Sequence, residues 1–368
     1  MFLDTDTLPA GHTLTADVAI FGSGPAGLTL AKTLADRGLS VIVAEGGGFS
    51  YEDRSQDLYQ GAIVGDMPME LEASRLRMFG GSSNHWGGYS RPLDAIDFEE
   101  RSWLPNTGWP ISKADLDSYE AAASEILEVQ SAFADQQRGD LIFSDYGYSP
   151  PVVFGDKYHD EIEASETLTV VMNASFNRVT LDGNRITSAE VRGYNGGSWQ
   201  IEAREFALCM GGIENPRMLM WANIQSDYQL VGPDDQIGRY WMEHPGIFVG
   251  QALLVDPSLE LFKVGSFFRD GPQAFVSLSP ALQEKLGVAN FMFNIRIRGN
   301  SKGLLKDLLC VAPRLGMSLV EATGRTLICG AEIHAQLEQL PDPNNRVLLD
   351  QERDAFGVPR TALHWEYE

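Results

Sequence analysis

The stretch that decides the fold spans residues 17–45 and reads DVAIFGSGPAGLTLAKTLADRGLSVIVAE. Asp17–Phe21 and Ser40–Ala44 are short apolar runs typical of β-strands. Between them, Pro25–Arg37 carries apolar residues at helical spacing, and Gly38 stands where a helix C-terminus favours glycine. Strands that are apolar throughout suit a parallel sheet covered on both faces. The stretch therefore predicts a strand–helix–strand unit.

The turn between the first strand and the helix has the pattern GxGxxG, formed by Gly22, Gly24 and Gly27. In such a turn the first glycine allows a tight bend and the second lets the backbone approach a pyrophosphate. The third lets the helix pack closely on the strand. The helix N-terminus adds free N–H groups and partial positive charge, which favour phosphate. The pattern predicts a dinucleotide site, with a glycine-rich turn that binds nothing as the alternative.

The residue after the second strand strengthens this prediction. Glu45 follows Gly27 by 45 − 27 = 18 residues and can accept hydrogen bonds from the ribose hydroxyls of an adenosine. An acid at this position disfavours NADP, but the motif alone does not separate FAD from NAD. The predicted dinucleotide-binding residues of this region are Gly22, Ser23, Gly24, Pro25, Ala26, Gly27, Glu45 and Gly46.

Composition narrows the classes of function. The chain has 368 residues, of which 43% are apolar and 21% charged, as in ordinary globular proteins. Its formal net charge is −23, which repels phosphate backbones and argues against nucleic-acid binding. No apolar run is long enough to predict a transmembrane segment.

The cysteines and the N-terminal residues predict a cytoplasmic location. Cys209, Cys310 and Cys329 are too widely spaced for a disulfide framework or a metal-ligand pair, and a reducing compartment fits them best. Residues 1–16 carry Asp4 and Asp6 in place of the basic and apolar regions of a signal peptide.

A second informative segment, residues 77–88, reads RMFGGSSNHWGG. The paired glycines and serines predict a tight loop with accessible N–H groups, able to approach a phosphate or a flavin ring. His85 and Trp86 add a nucleophilic nitrogen and a stacking surface. A turn followed by a buried aromatic residue is an equal alternative from the residues alone.

Together these motifs resemble the glucose–methanol–choline (GMC) oxidoreductases, and the likeness covers nearly the whole chain. The order of fingerprint, acid and glycine–serine loop is met by Gly22–Gly27, Glu45 and Gly80–Ser83. Other matching segments lie further along the chain: Cys209–Arg217, Ile237–Pro245, Pro341–Val347 and Phe356–Arg360. In the second of these, Glu243 stands where the family usually has an aspartate.

The resemblance implies FAD as the cofactor. It implies contacts to the pyrophosphate or flavin from Gly80, Gly81, Ser82 and Asn84, and a backbone contact to the adenine from Phe176. A histidine at the offset of His85 carries the flavin covalently, through its 8α position, in the pyranose-oxidase-like and choline-oxidase-like members. The His-Trp order is most like the sugar-oxidising branch. Covalent linkage at His85 and a non-covalent contact remain alternatives.

The resemblance also implies the chemistry, which is hydride transfer from an alcohol carbon to flavin N5, with a sugar or polyol as the expected donor. The family's catalytic histidine and its partner lie in a C-terminal segment, and no residue up to Glu368 matches them. No catalytic residue and no metal ligand is therefore assigned. The sequence predicts a C-terminally truncated form that retains FAD weakly and does not turn over alone.

Two other readings compete with this one. The first is a non-catalytic flavin-binding remnant or subunit, which is an alternative because no residue matches the family's catalytic histidine and its partner. An NAD-dependent dehydrogenase is disfavoured because no second GxGxxG unit is present. The electron acceptor is not identifiable from the sequence.

The predicted fold is α/β, a Rossmann-like FAD-binding domain with an interleaved substrate domain that contains a mostly antiparallel sheet. The predicted FAD-binding domain comprises residues 1–90 and 150–243, with its C-terminal part missing. Residues 91–149 are predicted to form a loop and helical cap, and residues 244–368 an incomplete substrate-binding domain.

Overall fold

A computed structural model describes residues 1–232, 236–253, 273–299, 312, 314–315, 318 and 329–367. The chain divides into two compact units, each made of separate stretches. The first unit comprises Met1–Trp86, Val152–Trp241 and Asp342–Glu368, and the second comprises Gly87–Pro151 and Met242–Pro341.

The described strands and helices are numbered here in chain order. The strands are β1 Phe2–Asp4, β2 Thr13–Phe21, β3 Val41–Ala44, β4 Gly61–Gly65, β5 Tyr89–Ser90, β6 Gln136–Arg138, β7 Leu141–Ser144, β8 Gly147–Tyr148, β9 Leu168–Met172, β10 Ser175–Asp182, β11 Arg185–Arg192, β12 Ser198–Leu208, β13 Gly246–Leu253, β14 Gln273–Leu278, β15 Phe291–Gly299, β16 Cys329–Leu337, β17 Arg346–Arg353 and β18 Pro359–Trp365. The α-helices are α1 Pro25–Ala35, α2 Asp53–Gln56, α3 Ala95–Phe98, α4 Lys113–Asp117, α5 Glu120–Leu127, α6 Phe154–Ala164, α7 Gly211–Gln225 and α8 Pro280–Leu286. Short 3₁₀ turns occupy Asp57–Tyr59, Leu71–Ala73 and Gly81–Asn84.

The main sheet of the first unit has seven strands in the order β1-β9-β3-β2-β12-β11-β10. The strands from β1 to β12 in this order run parallel, while β10, β11 and β12 form an antiparallel meander. All four residues of β3 are buried, because the strand lies between parallel neighbours. This architecture confirms the predicted α/β fold.

A smaller sheet in the same unit has the order β17-β18-β4. Strand β18 pairs antiparallel with β17 and parallel with β4, where Thr361 lies opposite Gly61. Buried side chains pack against this sheet and helix α7: Leu71, Ile213, Val347, Leu363 and Trp365.

The second unit is organised around a six-stranded sheet in the order β13-β16-β15-β14-β7-β6. Every pairing in it is antiparallel, which confirms the predicted sheet type. Among the described helices, none has the length and apolar character needed to cross a bilayer.

Several local features differ from the sequence predictions. Residues 91–149 include strands as well as helices, and β7 pairs with β14 in the main sheet of the second unit. Asp342–Glu368 packs in the first unit instead of with the rest of the predicted substrate domain. Ser112, with Asp115 three residues on, predicts the start of one helix over Ser112–Leu127, but the structure has two helices there, α4 and α5. The amphipathic sequence of residues 303–320 predicts a helical insert, which lies almost entirely outside the described residues.

The sequence predicts a helix that starts at Asn215 with Pro216 in its first turn, but helix α7 begins four residues earlier, at Gly211, so Pro216 lies inside it. The Asn215 side chain accepts a hydrogen bond of 2.8 Å from the Met210 N–H, which satisfies a donor at this helix start. Because glycine has a low helix propensity, the two glycines that begin α7 do not indicate a helix in the sequence.

A buried ion network joins α7 to the smaller sheet of the first unit. Arg217, 1% exposed, donates to Glu214 at 2.8 Å and to Asp354 at 2.6 Å. It also donates to the backbone oxygens of Pro359 and Leu58. Burial opposes ionisation of Glu214, but nearby arginines outweigh burial and hold the pKa of that carboxyl below its ordinary value. The network therefore depends on all its charges being present.

Candidate functional site

The fingerprint turn lies at the C-terminal end of β2, where two positions exclude any side chain. Gly22 has φ +100°, and a Cβ there would lie 2.6 Å from the Cys209 carbonyl oxygen. A Cβ on Gly27 would lie 1.9 Å from the Gly22 carbonyl oxygen. Helix α1 therefore sits directly against the turn, closer than any residue other than glycine permits.

The N-terminus of α1 is open to a ligand. A Cβ on Gly24 would meet no atom within 4 Å, and no described side chain caps the helix at this residue. Pro25 and Ala26 are exposed, and the first turn carries no acidic residue. The first-turn N–H groups and the helix dipole are thus available to an anion such as a pyrophosphate.

The Glu45 carboxylate is buried and already accepts three hydrogen bonds. They come from the Ser23 N–H at 3.0 Å, the Ser23 hydroxyl at 2.6 Å and the Gly47 N–H at 2.9 Å. An ionised carboxylate has about four acceptor positions, so one remains for a ribose hydroxyl. Glu45 also ties the fingerprint to the Gly46–Gly47 turn, a role that the sequence does not reveal.

The glycine–serine loop lies directly on the fingerprint. A Cβ on Gly81 would be 3.0 Å from the Gly24 Cα, and the Gly80 N–H donates to the Ser23 hydroxyl at 3.2 Å. The structure thus brings together two motifs that are separated by more than fifty residues in the sequence.

Polar side chains of the loop hold its shape. The Asn84 amide donates to Phe79 O at 3.0 Å and to Gly81 O at 2.8 Å, and Ser82 Oγ accepts from the Leu76 N–H at 3.2 Å. The Asn84 N–H₂ group is therefore engaged inside the loop, which leaves its carbonyl oxygen for any cofactor contact.

The remaining predicted residues lie in three different surroundings. His85 follows the 3₁₀ turn and is exposed. The Trp86 indole N–H donates to Val152 O at 2.9 Å. The Phe176 ring is buried in the core, with its centroid 4.5 Å from that of Phe21. The Phe176 side chain is therefore not available to a ligand, and the backbone contact to the adenine stays a prediction.

Two residues beside the site were not found from the sequence. The Arg77 guanidinium packs on Gly46, where a Cβ would lie 2.3 Å from it, and donates to Ser175 Oγ at 3.0 Å. The Tyr194 hydroxyl donates to Gly46 O at 2.8 Å. The sequence offers one sign of this role for Arg77, which is its position shortly before paired glycines. The burial of the Arg77 side chain, however, depends on tertiary packing.

One group of possible metal ligands occurs in the described part of the chain. His159, Asp160 and Glu163 on α6 place their ligand atoms within 4.8 Å of one another. Both acids are exposed, a common arrangement on helix surfaces, so the group assigns no metal.

These observations fit an adenine dinucleotide. The open helix N-terminus suits the pyrophosphate, the spare acceptor of Glu45 suits the ribose, and the loop at Gly80–Asn84 adds a second backbone surface beside both. FAD meets each requirement.

Comparisons with known proteins agree with this assignment. A family model described as an FAD binding domain matches residues 17–56. The fructose dehydrogenase large subunit of Gluconobacter japonicus is 31% identical over 191 residues, a match that covers 50% of this chain and 32% of the relative. The match thus spans less than half of that relative's length.

One solved structure shares the fold, and a second is reported beside it. Pyridoxine 4-oxidase from Mesorbium loti superposes with a TM-score of 0.52 at 18% identity, covering 94% of this chain and 75% of that one. Formate oxidase from Aspergillus oryzae RIB40 gives a TM-score of 0.49 at 15% identity, covering 96% and 78%. The chain thus contains an FAD-binding domain, and its motifs and its sequence relative resemble those of the glucose–methanol–choline oxidoreductases.

Proposed function

We propose that this chain serves an oxidoreductase that oxidises an alcohol group, with a neutral sugar or polyol as the donor. The observation that carries the proposal is the contact between the fingerprint turn and the glycine–serine loop, at Gly24 and Gly81, beside an open helix N-terminus. The 31% identity to a fructose dehydrogenase large subunit supports the class of donor.

The proposed roles are divided between residues of the first unit and the bound cofactor. In this proposal the first unit binds the adenosine and the pyrophosphate through Gly22–Gly27, Glu45 and Gly80–Asn84. The hydrogen bonds from Ser23 to Glu45 and from Gly80 to Ser23, which join these segments, support it. Bound FAD supplies a hydride acceptor at flavin N5. The hydroxyl proton of the donor must pass to a base within hydrogen-bond reach, and we assign no residue to that role. The electron acceptor would be oxygen or another acceptor, and we assign no residue to its binding.

The test is anaerobic reduction of the flavin by candidate donors, using the protein as its complete gene encodes it. We expect sugars or polyols to bleach the flavin absorbance near neutral pH, while NADH does not. Bleaching by NADH alone would replace the proposal with a nicotinamide-dependent flavoenzyme. Flavin that no alcohol bleaches would favour the non-catalytic subunit.

His85 is proposed to carry the flavin covalently. Its exposed ring follows the loop that lies on the fingerprint, so a ring nitrogen is available at this position. We expect flavin fluorescence in the pellet after acid precipitation, and its transfer to the supernatant in His85→Ala. His12→Ala, which removes another exposed histidine of the first unit, should leave the flavin in the pellet. Flavin that is found only in the wild-type supernatant would leave FAD bound non-covalently.

A further inference from the structure

A buried cation lies beside the candidate dinucleotide site without an ion-pair partner among the described residues. Arg77 is 9% exposed, and its guanidinium donates to one described side chain, from Nη2 to the Ser175 hydroxyl at 3.0 Å. Its Nε has no hydrogen-bond partner within the described structure. Burying a charge without a partner is costly, so a cation kept at such a position calls for an anion from outside the chain.

The two arginines that lie closest to Arg77 in function differ from it, because each has a carboxylate partner. Arg75 lies 3.3 Å from Glu214, and Arg217 pairs with Glu214 at 2.8 Å and with Asp354 at 2.6 Å. These charges are therefore used within the ion network of α7. The charge of Arg77 remains available to a ligand.

Packing holds the Arg77 guanidinium beside the nucleotide-binding turn. It lies on Gly46, where a Cβ would be 2.3 Å from Nη2, and its Cζ is 5.2 Å from the centroid of the Tyr59 ring. The Arg77 N–H donates to Gln56 Oε1 at 3.0 Å. These contacts fix a long side chain without neutralising it.

A short series of contacts connects this cation to the proposed position of the pyrophosphate. Gly46 follows Glu45, whose carboxylate accepts hydrogen bonds from the N–H and the hydroxyl of Ser23 in the fingerprint turn. A pyrophosphate bound at this turn brings negative charge close to the Glu45 carboxylate, and the N-terminus of α1 offers only a partial positive charge. The full charge of Arg77 offsets that repulsion. Because Arg77 is buried, salt screens its attraction to the phosphates less than that of a surface cation.

We propose that Arg77 is a specificity-determining residue of the cofactor site, whose buried charge makes the site select nucleotides that carry a pyrophosphate. The inference rests on the proposed position of the pyrophosphate at the N-terminus of α1 and is independent of the identity of the donor. Arg77 acts on the phosphates through its charge, while the N–H groups of the fingerprint make the direct contacts.

The test compares ADP, which has a pyrophosphate, with adenosine, which has none. Calorimetry measures both dissociation constants in the complete gene product, with His85→Ala in every protein so that FAD can be removed. Arg77→Met should raise the Kd for ADP about 10-fold and change the Kd for adenosine by less than about 2-fold. Without ligand, Arg77→Met should melt no lower than its parent, because methionine removes an unpaired buried charge and keeps an unbranched side chain.

Two further variants separate the charge of Arg77 from its shape. Arg77→Lys keeps the charge and should retain most of the preference for ADP over adenosine. Arg178→Met removes a half-exposed charge from β10, the strand that contains Ser175, and should change neither Kd.

A structural role for Arg77 predicts different results. Arg77→Met would then fail to fold, or would melt lower and bind ADP and adenosine with equal losses, and either result would overturn the inference. Arg77→Lys that folds but binds ADP as weakly as Arg77→Met does would overturn it as well, since the charge would not be the cause.

Gly24→Ala separates this inference from the proposed position of the pyrophosphate. ADP binding that Gly24→Ala weakens and Arg77→Met does not would remove Arg77 from the selection of ligands and leave the pyrophosphate at α1. ADP binding that only Arg77→Met weakens, with adenosine unaffected, would support the role of the charge and place the phosphates elsewhere. A flavin that no alcohol reduces would overturn the proposed donor alone, because neither ADP nor adenosine binding depends on it.

Discussion

Gly24→Ala is expected to weaken FAD binding about 100-fold, equivalent to about 2.7 kcal/mol, while the protein without cofactor folds normally. The added methyl meets no protein atom within 4 Å, and the backbone of Gly24 is extended, at φ −69° and ψ −177°, which alanine adopts. The methyl enters the space through which a pyrophosphate reaches the first-turn N–H groups. Titration with FAD, followed by quenching of flavin fluorescence, measures the loss.

Gly246→Ala is the matched control for this experiment. A Cβ at Gly246 also meets nothing within 4 Å, and the residue lies in the second unit. It should leave both FAD affinity and melting temperature unchanged. FAD binding by Gly24→Ala at wild-type strength would mean that the pyrophosphate lies elsewhere, and the assignment of this helix N-terminus would be wrong.

Arg217→Met should lower the free energy of unfolding by about 3–5 kcal/mol, the largest stability effect that we expect from a single substitution here. The change leaves Glu214 and Asp354 buried, at 2% and 3% side-chain exposure, without the guanidinium that joins them, and only Arg75, at 3.3 Å, still pairs with Glu214. Urea unfolding at neutral pH measures the effect. Lys32→Ala should cost at most about 1 kcal/mol, because both acidic partners of Lys32 are more than half exposed.

The contribution of the same ion network to stability should also be measurable as a loss of stability at low pH. The pKa of Glu214 is lowered by folding, so its contribution to stability is present above its ordinary pKa and disappears as the pH falls through the folded value. Below about pH 4.3 the wild type should lose stability more steeply than Glu214→Gln. Equal slopes for the two proteins, or a loss in Arg217→Met no larger than that in Lys32→Ala, would contradict the importance of the network.

The sequence predicts the parts of this fold that local patterns determine. The strand–helix–strand unit at residues 17–45 follows from apolar periodicity and a glycine turn, both contained in one short stretch. The meander of β10–β12 is marked by turn residues at 182–184 and 195–197. Such signals need no knowledge of distant partners.

Features that depend on distant partners were not predictable in the same way. Strand β4 is five residues long, with a glycine at each end, and is stabilised by pairing with β18 some 300 residues later. Arg77 became recognisable as part of the site only when Gly46 and Ser175 were placed beside it.

The parallel pairing of β4 with β18 has a consequence for biosynthesis. Gly61 cannot meet Thr361 until the ribosome has made every residue between them, and the Asp57–Arg360 ion pair waits equally long. The first unit therefore stays incomplete until β18 has been made, with the apolar surface of Leu71 and Ile213 uncovered. Contacts this distant in sequence slow folding and lengthen exposure to aggregation. Nascent chains of this protein should accordingly depend on chaperones until β18 has emerged.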